Sequence, residues 1–182
     1  GALASTLETA SRGVIYEHRP ESPGAARLLA TLKPLIAEMN QPPLPGVFPD
    51  YVAPIARNNG GTRELATARW GMPTPLFALK GRNSDGGITN VRNVKSPHWR
   101  RWLGVESRCL VPFNSFSENE VLADGSRPPV WFALSEERPL AFFAGIWTPQ
   151  WKSVRKVKEG ETTNDLFAFL TTEPNREVGA VH

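Results

Sequence analysis

Four side chains of different chemistry lie beside apolar stretches of this sequence. Glu118 follows an apolar run that begins at Cys109, Asn90 and Arg92 open another such stretch, and His182 is the last residue. A carboxylate, a carboxamide, a guanidinium and an imidazole together can hold an anion and move a proton. The sequence therefore predicts a proton-transfer site held by a rigid scaffold.

Each of these residues also has a simpler interpretation. Glu118 could be an ordinary loop glutamate like its neighbour Glu120, and Arg92 could form a cross-strand salt bridge. Asn90 and Arg92 are two residues apart, so on a strand both side chains would share one face and could grip an oxyanion or a phosphate. An imidazole is the usual proton shuttle, but a terminal His182 could equally be a disordered end.

The only cysteine, Cys109, lies within an apolar run, which favours a core residue over a nucleophile. A thiol hydrolase that uses Cys109 stays open as a further hypothesis. One cysteine cannot form an internal disulfide, which fits a reducing compartment. The three histidines lack the spacing of metal ligands, so we expect neither a metal nor a cofactor.

Positive charge is uneven along the 182 residues, whose net charge is +3. It concentrates between residues 79 and 108, where His98, Trp99 and Trp102 lie among the basic side chains. Cations interleaved with rings are typical of a single-stranded nucleic-acid groove, but a solvated basic loop beside core tryptophans has the same composition. No apolar run reaches about 18 residues, so no membrane span is expected. The basic residues are Lys80, Arg82, Arg92, Lys95, Arg100, Arg101 and Arg108.

Apolar spacing predicts one helix over residues 25–39, kinked or ended early by Pro34. A short helix is predicted over 96–103, and an exposed hairpin or loop edge over 151–158. The remainder is predicted to be mainly strands, at residues 51–55, 64–70, 109–112, 130–134, 140–147 and 166–171. Short strands with turn signals between them predict a β-rich α+β fold, with an antiparallel barrel-like or sandwich core and a few flanking helices.

Six short motifs occur in one order along the chain. They are Tyr51-Val-Ala-Pro54, Ala68-Arg-Trp-Gly-Met-Pro73, Asn90-Val-Arg92, Arg108-Cys-Leu-Val-Pro112 leading to Phe116-Ser-Glu118, Ala144-Gly-Ile-Trp147, and Phe169-Leu-Thr-Thr172 leading to His182. Together they resemble the SOS-response-associated peptidase (SRAP) domain, from about Pro45 to His182. The subtype with Trp-Gly-Met-Pro is similar to bacterial members.

The resemblance implies a β-rich α+β fold with a positively charged cleft for single-stranded DNA that carries an abasic site. In the family, autoproteolytic removal of the initiator Met exposes a cysteine, which then cross-links covalently to the sugar aldehyde. The resemblance gives Glu118 and His182 the catalytic proton transfers, and it gives Asn90 and Arg92 the grip on the abasic sugar and its phosphate. The family lines its DNA cleft at the positions of Pro54, Trp70, Phe77 and Thr171.

Two departures from the family pattern shape the expectation. In the family, the cross-link is a thiazolidine ring formed by the α-amine and the thiol of the amino-terminal cysteine. No cysteine lies near the amino terminus of this sequence, so this ring is not expected of the sequence as it stands. A non-covalent module that binds single-stranded or damaged DNA is therefore the alternative. The second departure is that the family normally continues past the position of His182 into a further strand and a tail. We predict a flexible start over residues 1–22 and one SRAP-like domain over 23–182, which would lack that C-terminal strand and tail. The expected protein is a monomer of the bacterial cytoplasm, associated with the nucleoid and not with a membrane.

Overall fold

The computed structural model describes residues 7–8, 27, 30–34 and 46–181. His182 lies outside the described residues, as do all but two residues of the predicted start 1–22 and much of the predicted helix 25–39. Within that helix, residues 30–34 are helical, and Leu32 packs into a small apolar cluster with Ala56 and Phe142.

The strands of the described part form a closed barrel and a smaller sheet. They are β1 (Leu7–Glu8), β2 (Val52–Asn59), β3 (Thr62–Trp70), β4 (Asn90–Val91), β5 (Arg108–Phe113), β6 (Phe116–Asn119), β7 (Pro129–Phe132), β8 (Ala141–Val154) and β9 (Glu161–Leu170). The barrel has the order β3-β2-β5-β8-β9, and β9 pairs again with β3 to close it. The pairs are antiparallel except the closing pair, which is parallel. This confirms the predicted β-rich α+β fold with a barrel-like core.

Short elements surround the barrel. Strand β4 continues the line of β3 along the same edge of β9, and a separate sheet has the order β1-β6-β7. The helices are α1 (Leu76–Leu79) and α2 (Arg176–Gly179), with 3-10 turns at Pro97–Trp102, Val105–Ser107 and Val157–Glu159. The first of these turns confirms the short helix predicted over 96–103. Among the described helices, none is long and apolar enough to cross a membrane.

The interior of the barrel is filled with aromatic rings. Alternation along β9 turns Phe167 and Phe169 inward, while Leu166 and Ala168 belong to a second cluster on the opposite face. The ring of Phe143 lies 4.8 Å from that of Phe169. Aromatic pairs of this kind add about 1 kcal/mol each beyond the burial of their surface. The strands around them are therefore held in fixed positions.

A buried arginine anchors the loop that joins β3 to β4. Arg155 donates from Nη1 to the carbonyl of Gly71 (3.0 Å) and from Nη2 to that of Gly86 (3.1 Å), and its Nε contacts Oδ1 of Asp50 at 2.9 Å. The predicted exposed edge over 151–158 is wrong for this residue, whose side chain is fully buried. A guanidinium tolerates burial here because backbone carbonyls and a carboxylate accept its hydrogen bonds.

Candidate functional site

Asn90 and Thr171 lie at one end of the barrel, where β4 runs beside the end of β9. Asn90 pairs with Phe169, and the backbone N–H of Thr171 donates to the carbonyl of Val91 at 3.0 Å. Val91 packs into the outer cluster with Ala168, so alternation turns Asn90 toward the interior, with Phe169. Thr171, two residues after Phe169, is turned the same way. The structure thus brings these two predicted residues to one face.

The side-chain oxygens of Asn90 and Thr171 are the two polar atoms that distinguish this end of the barrel. Oδ1 of Asn90 and Oγ1 of Thr171 are buried, and neither has a hydrogen-bond partner among the residues that the structure describes. Nδ2 of Asn90 reaches Oγ1 of Thr89 at 3.5 Å, which is the outer limit of a hydrogen bond. A buried polar group without a partner costs about 1–3 kcal/mol. A ligand that carries hydroxyl groups would satisfy both oxygens.

Glu118 lies in β6, and only 3% of it is exposed. It shares a face of the strand with Phe116, whose ring lies 5.7 Å from that of Phe143. Phe143 in turn contacts Phe169, the strand partner of Asn90. Glu118 therefore shares its strand face with one member of the aromatic cluster, and Asn90 is the strand partner of another. A carboxyl group shielded from bulk water is suited to proton transfer at a bound ligand.

Arg92 is exposed and directly follows β4. Among the described residues it forms no ion pair, so the alternative of a cross-strand salt bridge is not realised there. By contrast, Arg57, Arg69 and Arg155 each pair with a carboxylate. Because β4 ends at Val91, strand alternation does not fix the direction of the Arg92 side chain. Within the described part of the chain its charge is therefore not neutralised by an ion pair, and it can attract an anion.

The four residues predicted to line a DNA cleft have different environments. Phe77 in α1 is 83% exposed, whereas Pro54 and Thr171 are buried and Trp70 has no exposed surface. The indole N–H of Trp70 donates to the carbonyl of Thr89 at 3.1 Å. Only the ring of Phe77 is offered to solvent.

The sequence patterns did not identify Asp85, whose hydrogen bonds hold the loop that carries α1. The buried carboxylate of Asp85 accepts hydrogen bonds from the backbone N–H of Thr74 (3.0 Å) and of Gly87 (2.8 Å), on the two sides of the loop that carries α1. These bonds link residues on either side of Leu76 and Phe77, which are 87% and 83% exposed. The Asp-Gly-Gly sequence at residues 85–87 was a turn signal that could have indicated this.

A pocket of about 640 Å³ lies on the outer face of the barrel. Its lining includes Leu110, Phe142, Ala144 and Leu170, with Arg108 at the edge. Leu170 points away from the face of Asn90 and Thr171. Of the candidate residues, Cys109 is among its described lining, whereas Asn90, Arg92, Glu118 and Thr171 are not.

Cys109 is unsuited to nucleophilic chemistry. Its side chain is buried in the interior cluster, and burial strongly raises the pKa of the thiol, against a smaller lowering by the charge of Arg57. A thiol with a raised pKa is not the thiolate that attacks a substrate. This setting argues against a thiol hydrolase. Within the described ranges, no group of histidine, cysteine and acidic side chains could hold a metal ion.

Comparison with known proteins gives two findings. A family model described as SOS response associated peptidase (SRAP) matches residues 25–182. The "Abasic site processing protein YoaM" of Bacillus subtilis (strain 168) is 28% identical over 128 residues, which is 69% of this chain and 52% of that protein. The chain therefore spans about half the length of this relative.

Proposed function

The chain belongs to the SOS response associated peptidase (SRAP) family, and on this basis we propose that it recognises abasic sites in single-stranded DNA. The observation that carries the proposal is the pair of buried oxygens on Asn90 and Thr171. The exposed Arg92 follows Asn90 by two residues, directly after the strand that pairs with β9. A relative that is named for abasic site processing supports the same substrate.

An abasic site matches this arrangement chemically. It leaves a deoxyribose without a base, so the strand presents a small sugar with hydroxyl groups between two phosphates. The sugar can exchange hydrogen bonds with Oδ1 of Asn90 and Oγ1 of Thr171, which have no partner in the described part of the protein. The guanidinium of Arg92, which forms no ion pair with the described residues, would hold a neighbouring phosphate.

Exposed side chains around the loop that carries α1 suit a single strand. Phe77 can stack on a base that has no pairing partner, and Leu76 beside it is also exposed. Lys95, Arg100 and Arg101 are exposed, and they supply charge for phosphates. Stacking together with charge favours an unpaired strand, because bases in a duplex already stack on each other.

Glu118 is proposed to serve proton transfer at the sugar. Opening of the deoxyribose ring moves a proton from the C1 hydroxyl to the ring oxygen and yields an aldehyde. A buried carboxyl group can accept the first proton and return it to the second position. His182 lies outside the described residues, and its part in proton transfer stays a prediction.

Covalent capture is a finer proposal than recognition. The family resemblance implies a cysteine that cross-links to the aldehyde and a peptidase step that removes Met. Cys109 does not fit this part because its thiol is buried and its pKa is raised by burial. For the chain in hand, this observation favours non-covalent recognition as a second candidate mode.

The test compares binding to three fluorescent DNAs: a single strand with one abasic site, the same strand intact, and a duplex. We expect the tightest binding to the abasic strand, falling steeply with salt because several phosphates are neutralised. Equal affinity for the abasic and intact strands would contradict the proposal. The intact mass of the denatured mixture separates the two modes, since a covalent adduct survives and a non-covalent complex does not.

Two arginine variants separate site-specific from general charge effects. Arg92→Ala should weaken binding to the abasic strand about tenfold, the loss of one charge-assisted contact. Arg127→Ala removes an exposed arginine from the loop between β6 and β7 and should change binding less than twofold. Equal losses in the two variants would show that Arg92 acts through net charge alone.

A further inference from the structure

One backbone carbonyl at the site receives two hydrogen bonds from the barrel. The backbone N–H of Phe169 donates to the oxygen of Thr89 at 3.0 Å, and Nε1 of Trp70 donates to the same oxygen at 3.1 Å. This oxygen belongs to the peptide group that links Thr89 to Asn90. The indole of Trp70 therefore acts on the peptide from which Asn90 begins.

Trp70 is itself held from several directions. Its ring lies 4.9 Å from that of Phe169 and is stacked on that of Phe167 at 6.4 Å. Its backbone N–H donates to the carbonyl of Tyr51 at 2.8 Å, and its own carbonyl accepts from the N–H of Asp50 at 2.9 Å. The indole N–H is consequently a fixed donor.

Asn90 depends on its backbone for position. The side-chain hydrogen bond that it makes within the described part is the 3.5 Å contact to Thr89, its immediate neighbour. Strand β4 has only two residues, Asn90 and Val91. The carbonyls of Thr89 and Val91 accept from the N–H groups of Phe169 and Thr171, and these bonds join β4 to β9. Because so few hydrogen bonds hold β4, the additional bond from the indole N–H of Trp70 to the carbonyl of Thr89 contributes to the position of this strand.

We propose that Trp70 is a positioning residue for Asn90, and not a residue that touches DNA. The proposal rests on the proposed function for its effect on binding. The ring of Trp70 has no exposed surface, so it could stack on a base only if the core opened. Through Thr89, however, it holds the carboxamide of Asn90 where the sugar would lie.

The experiment uses Trp70→Phe, which keeps an aromatic ring and removes the N–H. The matched control is Trp147→Phe, because Trp147 is also buried in the interior cluster and its Nε1 donates to the carbonyl of Glu106 at the same 3.1 Å. We expect Trp70→Phe to weaken binding to the abasic strand about fivefold, as the loss of one hydrogen bond would. Trp147→Phe should change it less than twofold.

A double-mutant cycle shows whether Trp70 acts through Asn90. In a chain that already carries Asn90→Ala, Trp70→Phe should cause no further loss of binding. Equal losses of binding in the presence and absence of Asn90 would overturn the proposal, because a general loss of stability acts independently of that side chain.

Amide hydrogen exchange of the free protein gives a readout that needs no DNA. Trp70→Phe should speed exchange at Phe169 and Thr171, whose N–H groups bind β4, more than at the pairs between β2 and β3. Trp147→Phe should not show this local pattern. If Trp70→Phe speeds exchange equally at all amides, the proposal is overturned. This readout decides the question even if Asn90→Ala abolishes DNA binding, so that the double-mutant cycle gives no result. If the wild type does not prefer abasic DNA, the proposed function fails while exchange still decides the role of Trp70.

Discussion

The carboxylate of Asp50 accepts a hydrogen bond from the fully buried guanidinium of Arg155, with Oδ1 2.9 Å from Nε. Arg69 and Lys156 contact the same carboxylate at 2.8 and 3.1 Å. One acid thus holds three cations, and one of them, Arg155, also binds the loop that leads to Asn90. The contacts of Asp50 and Arg155 thus join the loop before β2 to the turn after β8 and to the loop between β3 and β4.

Stability should fall in acid because of Asp50. Burial alone would raise its pKa, but hydrogen bonds from Arg155, Arg69 and Lys156 outweigh burial and hold the pKa below its ordinary value. A carboxyl group with a lowered folded-state pKa stabilises the fold above its unfolded pKa of about 3.9, and this contribution is lost as the pH falls through the folded value. Urea unfolding at pH 7 and below pH 4 measures the loss.

Asp50→Asn is the control for that pH dependence. The variant should be less stable at pH 7, and the difference from wild type should shrink in acid. Other carboxylates with lowered pKa, such as Asp165, remain in both proteins and cancel in the comparison. A difference that does not change with pH would show that Asp50 does not titrate in the unfolding range.

Gly71→Ala should destabilise the protein by about 3 kcal/mol, because strain and overlap act together. The φ angle of Gly71 is 137°, and a Cβ there would overlap the guanidinium of Arg155. Gly160→Ala is the matched control, since its φ is 69° but no atom lies within 4 Å of the added Cβ. It should cost about 1–2 kcal/mol from backbone strain alone, because φ 69° and ψ −159° lie in a region that side chains with a Cβ rarely adopt. Equal midpoints of urea unfolding for both variants would refute the role assigned to Arg155.

Phe77→Ala should leave stability within about 0.5 kcal/mol of wild type, because the ring is 83% exposed. It should weaken single-stranded DNA binding about tenfold if the ring stacks on a base. Val157→Ala also removes an exposed apolar side chain, 70% exposed, and should change neither quantity. Unchanged affinity of Phe77→Ala in fluorescence anisotropy would mean that the ring is not a stacking surface.

The sequence predicted local structure better than distant pairing. Short apolar runs bounded by turn signals located most strands, including the one at residues 166–171, because these signals are visible within a few residues. The parallel pairing of β3 with β9 closes the barrel, and nothing local indicates it. The burial of Arg155 was missed for the same reason, since its acceptors at Gly71 and Gly86 lie far away in sequence.

The candidate site shows the same division. Residue types and motifs identified Asn90, Arg92 and Glu118, but only the structure shows that an oxygen of Asn90 and one of Thr171 are buried without a partner in its described part. Likewise, only the structure shows that the indole N–H of Trp70 donates to the carbonyl of the peptide before Asn90. The direction of an indole N–H inside a barrel depends on which strands pair with each other, and local sequence patterns do not indicate that pairing.

The closing pair also determines when the site can exist during folding. Arg69 pairs with Leu166, and Asn90 with Phe169, so both contacts join residues separated by roughly half the chain. Contacts of such long sequence separation form late, because the chain between them must first give up its freedom. A ribosome that has not yet released residues 161–171 therefore carries a chain with neither a closed barrel nor a partner for Asn90. The candidate site is therefore completed only after residues 161–171 have been synthesised, although Asn90 itself is made much earlier.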